Sequence, residues 1–157
     1  MRYSIGIDNG LNGGIVVLDD RSRVVDKTPM PVIGTKQKDY DKNTIIQFLY
    51  YYKNSDVYLE KAQPYHRDGK KQSFKTGFGY GVIQGILTAM GLPFEVVGAK
   101  QWQRFVFNGV KKDDTKTASI MFCKNKWPEV DWTPTERSAK PHDGMTDAAC
   151  IAYYGCH

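Results

Sequence analysis

The chain has 157 residues, 41% hydrophobic and 13% aromatic, which suits one domain (residues 1–157) with its own core and excludes a disordered tail. Its 22 Lys and Arg outnumber 17 Asp and Glu, for a net charge of +5; that balance suits a polyanionic partner without naming one. No run of about 18 apolar residues occurs, so no membrane span is predicted, and no signal-peptide core precedes the first strand pattern. Cys123, Cys150 and Cys156 lack zinc spacing and read as reduced thiols of a cytoplasmic protein.

In chain order, residues 3–8 read as a strand, Asn9-Gly10 and Asn12-Gly13-Gly14 as a tight turn, and Ile15 to Leu18 as a second strand. Asp19-Asp20 turns the chain again and Val24-Val25 opens a third strand, giving an antiparallel meander. Residues 29–40, with Pro29, Pro31 and Gly34, read as a loop. Asp41 or Asn43 caps a helix whose apolar positions Ile45, Ile46, Phe48, Leu49 and Tyr52 recur at helical spacing. Residues 56–60 form a buried strand, and a helix is predicted from Ser73 to Met90, with Gly77, Gly79, Gly81 and Gly85 along it. Those glycines lower helix propensity by up to ~1 kcal/mol each relative to Ala, a cost that close backbone packing would explain. Further elements are a strand at 94–97, a short helix at 100–105 and a helix at 115–126 capped by Asp113 or Asp114. A proline-rich loop at 127–141 precedes a last helix that begins near Asp143. Strands first, then alternating helix and strand, imply a mixed sheet flanked by helices.

Four acids stand at the ends of these elements. Asp8 closes the first strand and Glu60 the strand after the first helix, while Asp143 and Asp147 lie one turn apart on the last helix. Carboxylates gathered at one point repel and raise one another's pKa unless cations neutralise them. Mg²⁺ or Mn²⁺, which favour hard oxygen ligands, are the simplest reason to gather them. The pattern predicts a metal-dependent enzyme acting on phosphodiesters, with Asp8 as the candidate bridge between two ions. Each acid also has an ordinary reading, as a turn residue or a helix cap; together they favour the metal site.

Basic residues follow Glu60 directly. Lys61, Arg67, Lys70, Lys71 and Lys75 are interleaved with aromatics, a composition that suits phosphate contacts, with Phe74 placed either to stack on a base or to pack into the core. Lys116 opens a helix, where a cation opposes the helix dipole, and is a candidate to stabilise charge on a scissile phosphate. His142, beside Asp143, is a candidate to support a ligand or the nucleophilic water. Trp102, Trp127 and Trp132 read as core or loop anchors.

Five segments together resemble the RuvC-type Holliday-junction resolvases of the RNase H-like superfamily, in their compact bacteriophage version. They are Ile5-Gly6-Ile7-Asp8-Asn9-Gly10, Val57-Tyr58-Leu59-Glu60, Phe78 to Leu87, Lys116 to Ile120 and His142 to Ala149. The resemblance spans nearly the whole chain in the family's order. It implies an RNase H-like mixed β-sheet flanked by helices and a homodimer formed on the glycine-rich helix. It also implies two Mg²⁺ ions per active site, with Mn²⁺ able to substitute, held by Asp8, Glu60, Asp143 and Asp147. Lys116 would be the family's active-site lysine, and the substrate would be branched DNA, either four-way junctions or forks. Nicking would leave 5′-phosphate and 3′-hydroxyl ends, in the host cytoplasm if the protein is phage-encoded. The last two acids stand four apart where bacterial members commonly have three, which leaves open whether His142 or Asp143 is the fourth ligand. Two rivals remain on the same fold: a non-catalytic branched-DNA-binding protein, and a nuclease for another nucleic acid. A sugar-kinase or actin-like ATPase, which needs two such domains, does not fit a chain of this length.

Overall fold

The computed structural model describes residues 2–63, 69–108 and 115–157, with the side chains of Thr115 and Lys116 excepted. Its centre is a five-stranded sheet in the order β3-β2-β1-β6-β7. The strands are β1 (Tyr3–Asp8), β2 (Gly14–Leu18), β3 (Val24–Pro29), β6 (Ser55–Glu60) and β7 (Phe94–Val97), while β4 (Val32–Ile33) and β5 (Asp39–Tyr40) form a separate ribbon. Strands β1 to β3 are the antiparallel meander expected from their turns, and β6 and β7 run parallel to β1. Asp19 holds the β2–β3 turn by accepting from the backbone N–H of Arg21 and Arg23, each at 2.9 Å, and pairing with the Arg23 guanidinium at 2.7 Å.

Among the described residues, five helices cover the two faces: α1 (Lys42–Tyr50), α2 (Lys70–Ala89), α3 (Ala99–Val106), α4 (Thr115–Lys126) and α5 (Asp143–Gly155). Strand alternation assigns the faces. Ile5, Ile7, Ile15, Val17, Val57 and Leu59 join Ile45, Leu49, Ile83 and Leu87 of α1 and α2 in one core. Val16, Leu18 and Val97 join Trp102, Cys123, Ala148, Ala149 and Ala152 of α3, α4 and α5 in the other. Ser4, Gly6 and Asp8 share the second parity of β1, so the strand turns its small residues towards α5.

That side of β1 is where helix and sheet meet backbone to backbone. A Cβ on Gly6 would lie 2.0 Å from the Ala148 carbonyl oxygen and 2.4 Å from the Ala152 nitrogen. One on Gly144 would lie 2.3 Å from the Asn12 carbonyl oxygen. The Ser4 hydroxyl donates to the Ala152 carbonyl at 2.8 Å. Helix α5 is therefore seated against β1 and the β1–β2 turn with no side chain between them.

Several sequence boundaries move. Helix α2 starts at Lys70 rather than Ser73, which places Lys70 and Lys71 on its first turn instead of in a loop. Residues 29–40, expected as loop, contribute the end of β3 and the β4–β5 ribbon. Asp41, not Asn43, caps α1, accepting from the Thr44 N–H at 3.1 Å, and Tyr52 falls beyond that helix. The residue capping α5 is His142, and the proposed caps Asp113 and Asp114 lie outside the described residues. Of the α2 glycines, only Gly79 is closely packed within the chain, its Cβ position lying 2.1 Å from the Tyr40 hydroxyl, whereas Gly77, Gly81 and Gly85 face open space. Within the chain, tight packing thus explains one glycine of the four. Among the described residues no helix is long and apolar enough to cross a membrane, and the three cysteines are free thiols.

Candidate active site

The parallel pairing of β1 with β6 sets Ile7 beside Leu59, so the next residues, Asp8 and Glu60, emerge together at the carboxyl ends of adjacent strands. Ligands of α/β sheets gather at such ends. Seating α5 on Gly6 brings Asp147 to the same point. Burial pushes the Asp8 carboxyl well above its usual value; the charges of Glu60 and Asp147 and a hydrogen bond with Glu60 push the same way. Burial likewise raises Asp147 to about 6 against a hydrogen bond from Ser119 that lowers it, with Glu60 and Asp143 adding to the rise.

These shifts describe a site with more negative charge than it can hold without a cation or a proton. Burial first, and then the neighbouring carboxylates, favour the protonated form of Asp8 when no cation is bound. The donor set is all hard oxygen, as Mg²⁺ or Mn²⁺ would require. Among the described residues no three His, Cys, Asp or Glu side chains stand ready-spaced as a metal cage. The donor chemistry and the charge excess fit such an ion.

Asp143 is exposed on the first turn of α5, one turn from Asp147. The His142 ring is engaged on one side: its Nδ1 accepts from the Met145 backbone N–H at 3.2 Å, while the backbone N–H of His142 donates to the Trp132 carbonyl at 2.8 Å. Burial lowers the His142 pKa, partly offset by Asp143, which favours a neutral ring. With Nδ1 accepting, that ring carries its proton on Nε2 and offers no free lone pair to a metal.

Two orienting residues had no distinct sequence signal. The indole of Trp102, only 1% exposed, donates from Nε1 to Glu60 Oε1 at 3.0 Å. Its place in an amphipathic short helix marks it equally as a core residue, which it also is. Ser119 on α4 is buried beside Thr146, with the two hydroxyl oxygens 3.2 Å apart, and hydrogen-bonds Asp147. Lys116 lies in the first turn of α4, three residues before Ser119; its side chain is outside the described residues.

The basic segment is split. Arg67 lies outside the described residues, and Lys61 is exposed directly after Glu60. Lys70, Lys71, Phe74 and Lys75 are all exposed on the N-terminal turns of α2, where the positive end of the helix dipole and the lysines add together. Phe74 is 73% exposed and stacked on the 47% exposed Phe78, centroids 6.2 Å apart. A core role for Phe74 is thereby excluded. Both rings border a cleft of about 520 Å³ that reaches Asp8.

No protein-family model matches the chain, and no curated protein matches it in sequence. Solved structures do. Thermus thermophilus RuvC in complex with a Holliday junction superposes with a TM-score of 0.62 over 97% of this chain and 91% of that one, at 14% identity. Fowlpox virus resolvase, in complex with substrate Holliday junction DNA, gives 0.55 over 98% and 96%, at 14% identity. The yeast mitochondrial Holliday junction resolvase Ydc2 gives 0.55 over 97% and 76%, at 14% identity. The fold is RNase H-like. At such low identity the likeness establishes architecture; what the site does rests on its own residues.

Proposed function

We propose that the protein is a metal-dependent, structure-selective endonuclease that nicks phosphodiesters at Holliday junctions and other branched DNA. The observation that carries this reading is the crowding of Asp8, Glu60 and Asp147 at the carboxyl ends of β1 and β6, where burial and mutual repulsion raise the Asp8 and Asp147 pKa values. Support comes from the fold shared with three resolvases that act on or bind such junctions by name.

Asp8, Glu60, Asp143 and Asp147 would hold two Mg²⁺ ions. Such a pair supplies a water-derived nucleophile at neutral pH and steadies the leaving oxygen. The protein's part is positioning. Trp102 fixes one oxygen of Glu60, Ser119 steadies Asp147, and His142 caps the first turn of α5, beside Asp143, which would be the fourth ligand. Lys116 would offset charge on the scissile phosphate. Lys61, Arg67, Lys70, Lys71 and Lys75 would bind flanking phosphates, and exposed Phe74 would enter the branch. A second copy of the chain would pack on the α2 stripe where Gly77, Gly81 and Gly85 leave space, bringing two active sites to one junction. Action in a bacterial cytoplasm, on branched DNA made during phage replication, completes the reading.

The test is cleavage of end-labelled four-way junction, Y-fork and linear duplex in Mg²⁺ or EDTA, by wild type and Asp8→Asn. Mg²⁺-dependent nicking near the branch, lost in Asp8→Asn while junction binding persists, is expected. Tight binding without cutting in Mg²⁺ and Mn²⁺ alike would replace the nuclease with a binding protein.

A further inference from the structure

The far end of α5 carries a surface that the carboxylate site does not use. Ser4 meets Ala152 and Gly6 meets Ala148, so α5 runs back along β1, and its last turn lies about 15–18 Å along the axis from Asp143. There the half-buried Tyr153 gathers three rings: Phe122 of α4 at 5.3 Å, Phe105 of α3 at 6.5 Å and His157 at 4.3 Å between centroids. Phe105 also stands edge-on to Tyr154 at 5.6 Å and remains 46% exposed. Two polar contacts fix the arrangement: Gln101 donates to the Tyr154 hydroxyl at 3.1 Å, and His157 Nδ1 lies 2.9 Å from the Tyr153 carbonyl oxygen. The Lys126 ammonium sits 5.1 Å from the Tyr153 ring centroid. Arg104, three residues after Gln101, shares its side of α3 and is exposed; Lys100 and Lys124 are exposed on the same two helices. Neither α3 nor α4, nor α5 beyond Asp147, contains an Asp or Glu, and among the described residues none of these four cations forms an ion pair.

We infer that this aromatic, basic face docks an acidic peptide segment of another protein, one that carries a large apolar side chain beside its carboxylates. Exposed apolar surface with a polar rim marks interaction sites, and Tyr, Phe and Arg are enriched in them. An open Phe105 beside cations that have no counter-charge is matched by a ligand that offers both an apolar anchor and acid. Nucleic acid offers the charge but stacks its bases on free ring faces. Here the rings turn against one another, at 83° for Phe105 on Tyr154 and 57° for Phe122 on Tyr153, whereas the exposed parallel pair, Phe74 and Phe78, borders the cleft at Asp8. A second copy of this chain, itself at +5, would set like charge against like. The face also adjoins a residue of the carboxylate site: Trp102, one turn before Phe105 on α3, donates to Glu60, so a partner seated here touches the helix that orients that carboxylate.

Fluorescence anisotropy with the full chain and labelled probes tests this. The first probe is a short peptide of aspartates ending in leucine and phenylalanine. Its companions replace the last two residues by serine, or the aspartates by asparagine or by lysine; an oligo-dT of similar length completes the set. Wild type should bind the first peptide, and the serine and asparagine copies about tenfold more weakly, the loss expected of one interface anchor. Added salt should weaken the first peptide and leave the asparagine copy unchanged. Phe105→Ala should cost the first peptide about tenfold. Arg104→Glu with Lys126→Glu should weaken it as much and should gain binding of the lysine copy, a reversal that a misfolded variant cannot produce. No binding of the first peptide to wild type, equal binding of the serine or asparagine copy, or no gain of the lysine copy by the charge-reversed variant would each overturn the inference. Oligo-dT binding that falls about tenfold in Phe105→Ala would overturn it in favour of nucleic acid, and a dimer in sedimentation that Phe105→Ala dissociates would overturn it in favour of a second copy. None of these readouts uses cleavage, so failure of the nuclease reading and failure of this one are seen separately.

Discussion

Replacing Asp147 by Asn should stabilise the metal-free protein while abolishing its activity. Asn keeps the size of the side chain and a partner for Ser119, and removes a charge that the fold holds against burial first and then against repulsion from Glu60 and Asp143. A rise from 3.8 to about 6 corresponds to about 3 kcal/mol at roughly 1.4 kcal/mol per pH unit. Because Asp147 keeps some contact with solvent, about 1–3 kcal/mol is the range to expect. The native state binds this proton more tightly than the unfolded chain, so the cost is fully present above pH about 6 and fades as pH falls towards 3.8. Asp8, also raised, adds a cost of the same sign. Thermal unfolding in EDTA should therefore show wild type gaining stability between pH 7.5 and 5. Asp147→Asn should begin higher at pH 7.5 by roughly 2–10 °C and gain less on acidification. Mg²⁺ should raise the wild-type midpoint and have a smaller effect on the variant. A variant less stable than wild type at pH 7.5, with an unchanged pH slope, would refute the claim that the carboxylates are crowded at a cost.

Three further perturbations separate positioning, seating and binding. Trp102→Phe keeps the buried ring and loses the 3.0 Å bond to Glu60; a stability loss of about 1 kcal/mol is expected from urea unfolding, with a larger relative fall in single-turnover cleavage than in junction affinity. Gly6→Ala places a methyl 2.0 Å from the Ala148 carbonyl, so α5 must shift; unfolding should register about 1–3 kcal/mol and cleavage should fall even where the protein remains folded, whereas full activity would show that the seat does not set the site. Lys70→Ala with Lys71→Ala removes two exposed cations and should leave the melting temperature unchanged while reducing the slope of log K against log salt by about 2; an unchanged slope would return these residues to a solvated helix face.

The sequence by itself determined the strand ends and the helix spacing that place the acids. Apolar runs closing on Asp8 and Glu60, and acids four apart before Ala148-Ala149, are local patterns, and local patterns follow from backbone periodicity alone. The meander was legible for the same reason, because its turns are written in Asn, Asp and Gly. It could not show that β1 lies beside β6, since pairing across some fifty intervening residues depends on which surfaces bury each other. Nor could it tell a core indole from an orienting one: Trp102 is both, and its bond to Glu60 exists only once α3 lies over the end of β6. The α2 start was misplaced because Lys70 to Gln72 carry no apolar periodicity. Phe74 shows the same limit, its exposure fixed by which face of α2 the sheet covers. Gly6 and Gly144 read as ordinary glycines until α5 is in place, and only then does the lack of a side chain become the reason that Asp147 reaches Asp8. Chemistry was written in residue types; convergence was decided by packing, because distance between side chains is a property of the whole fold and of no segment within it.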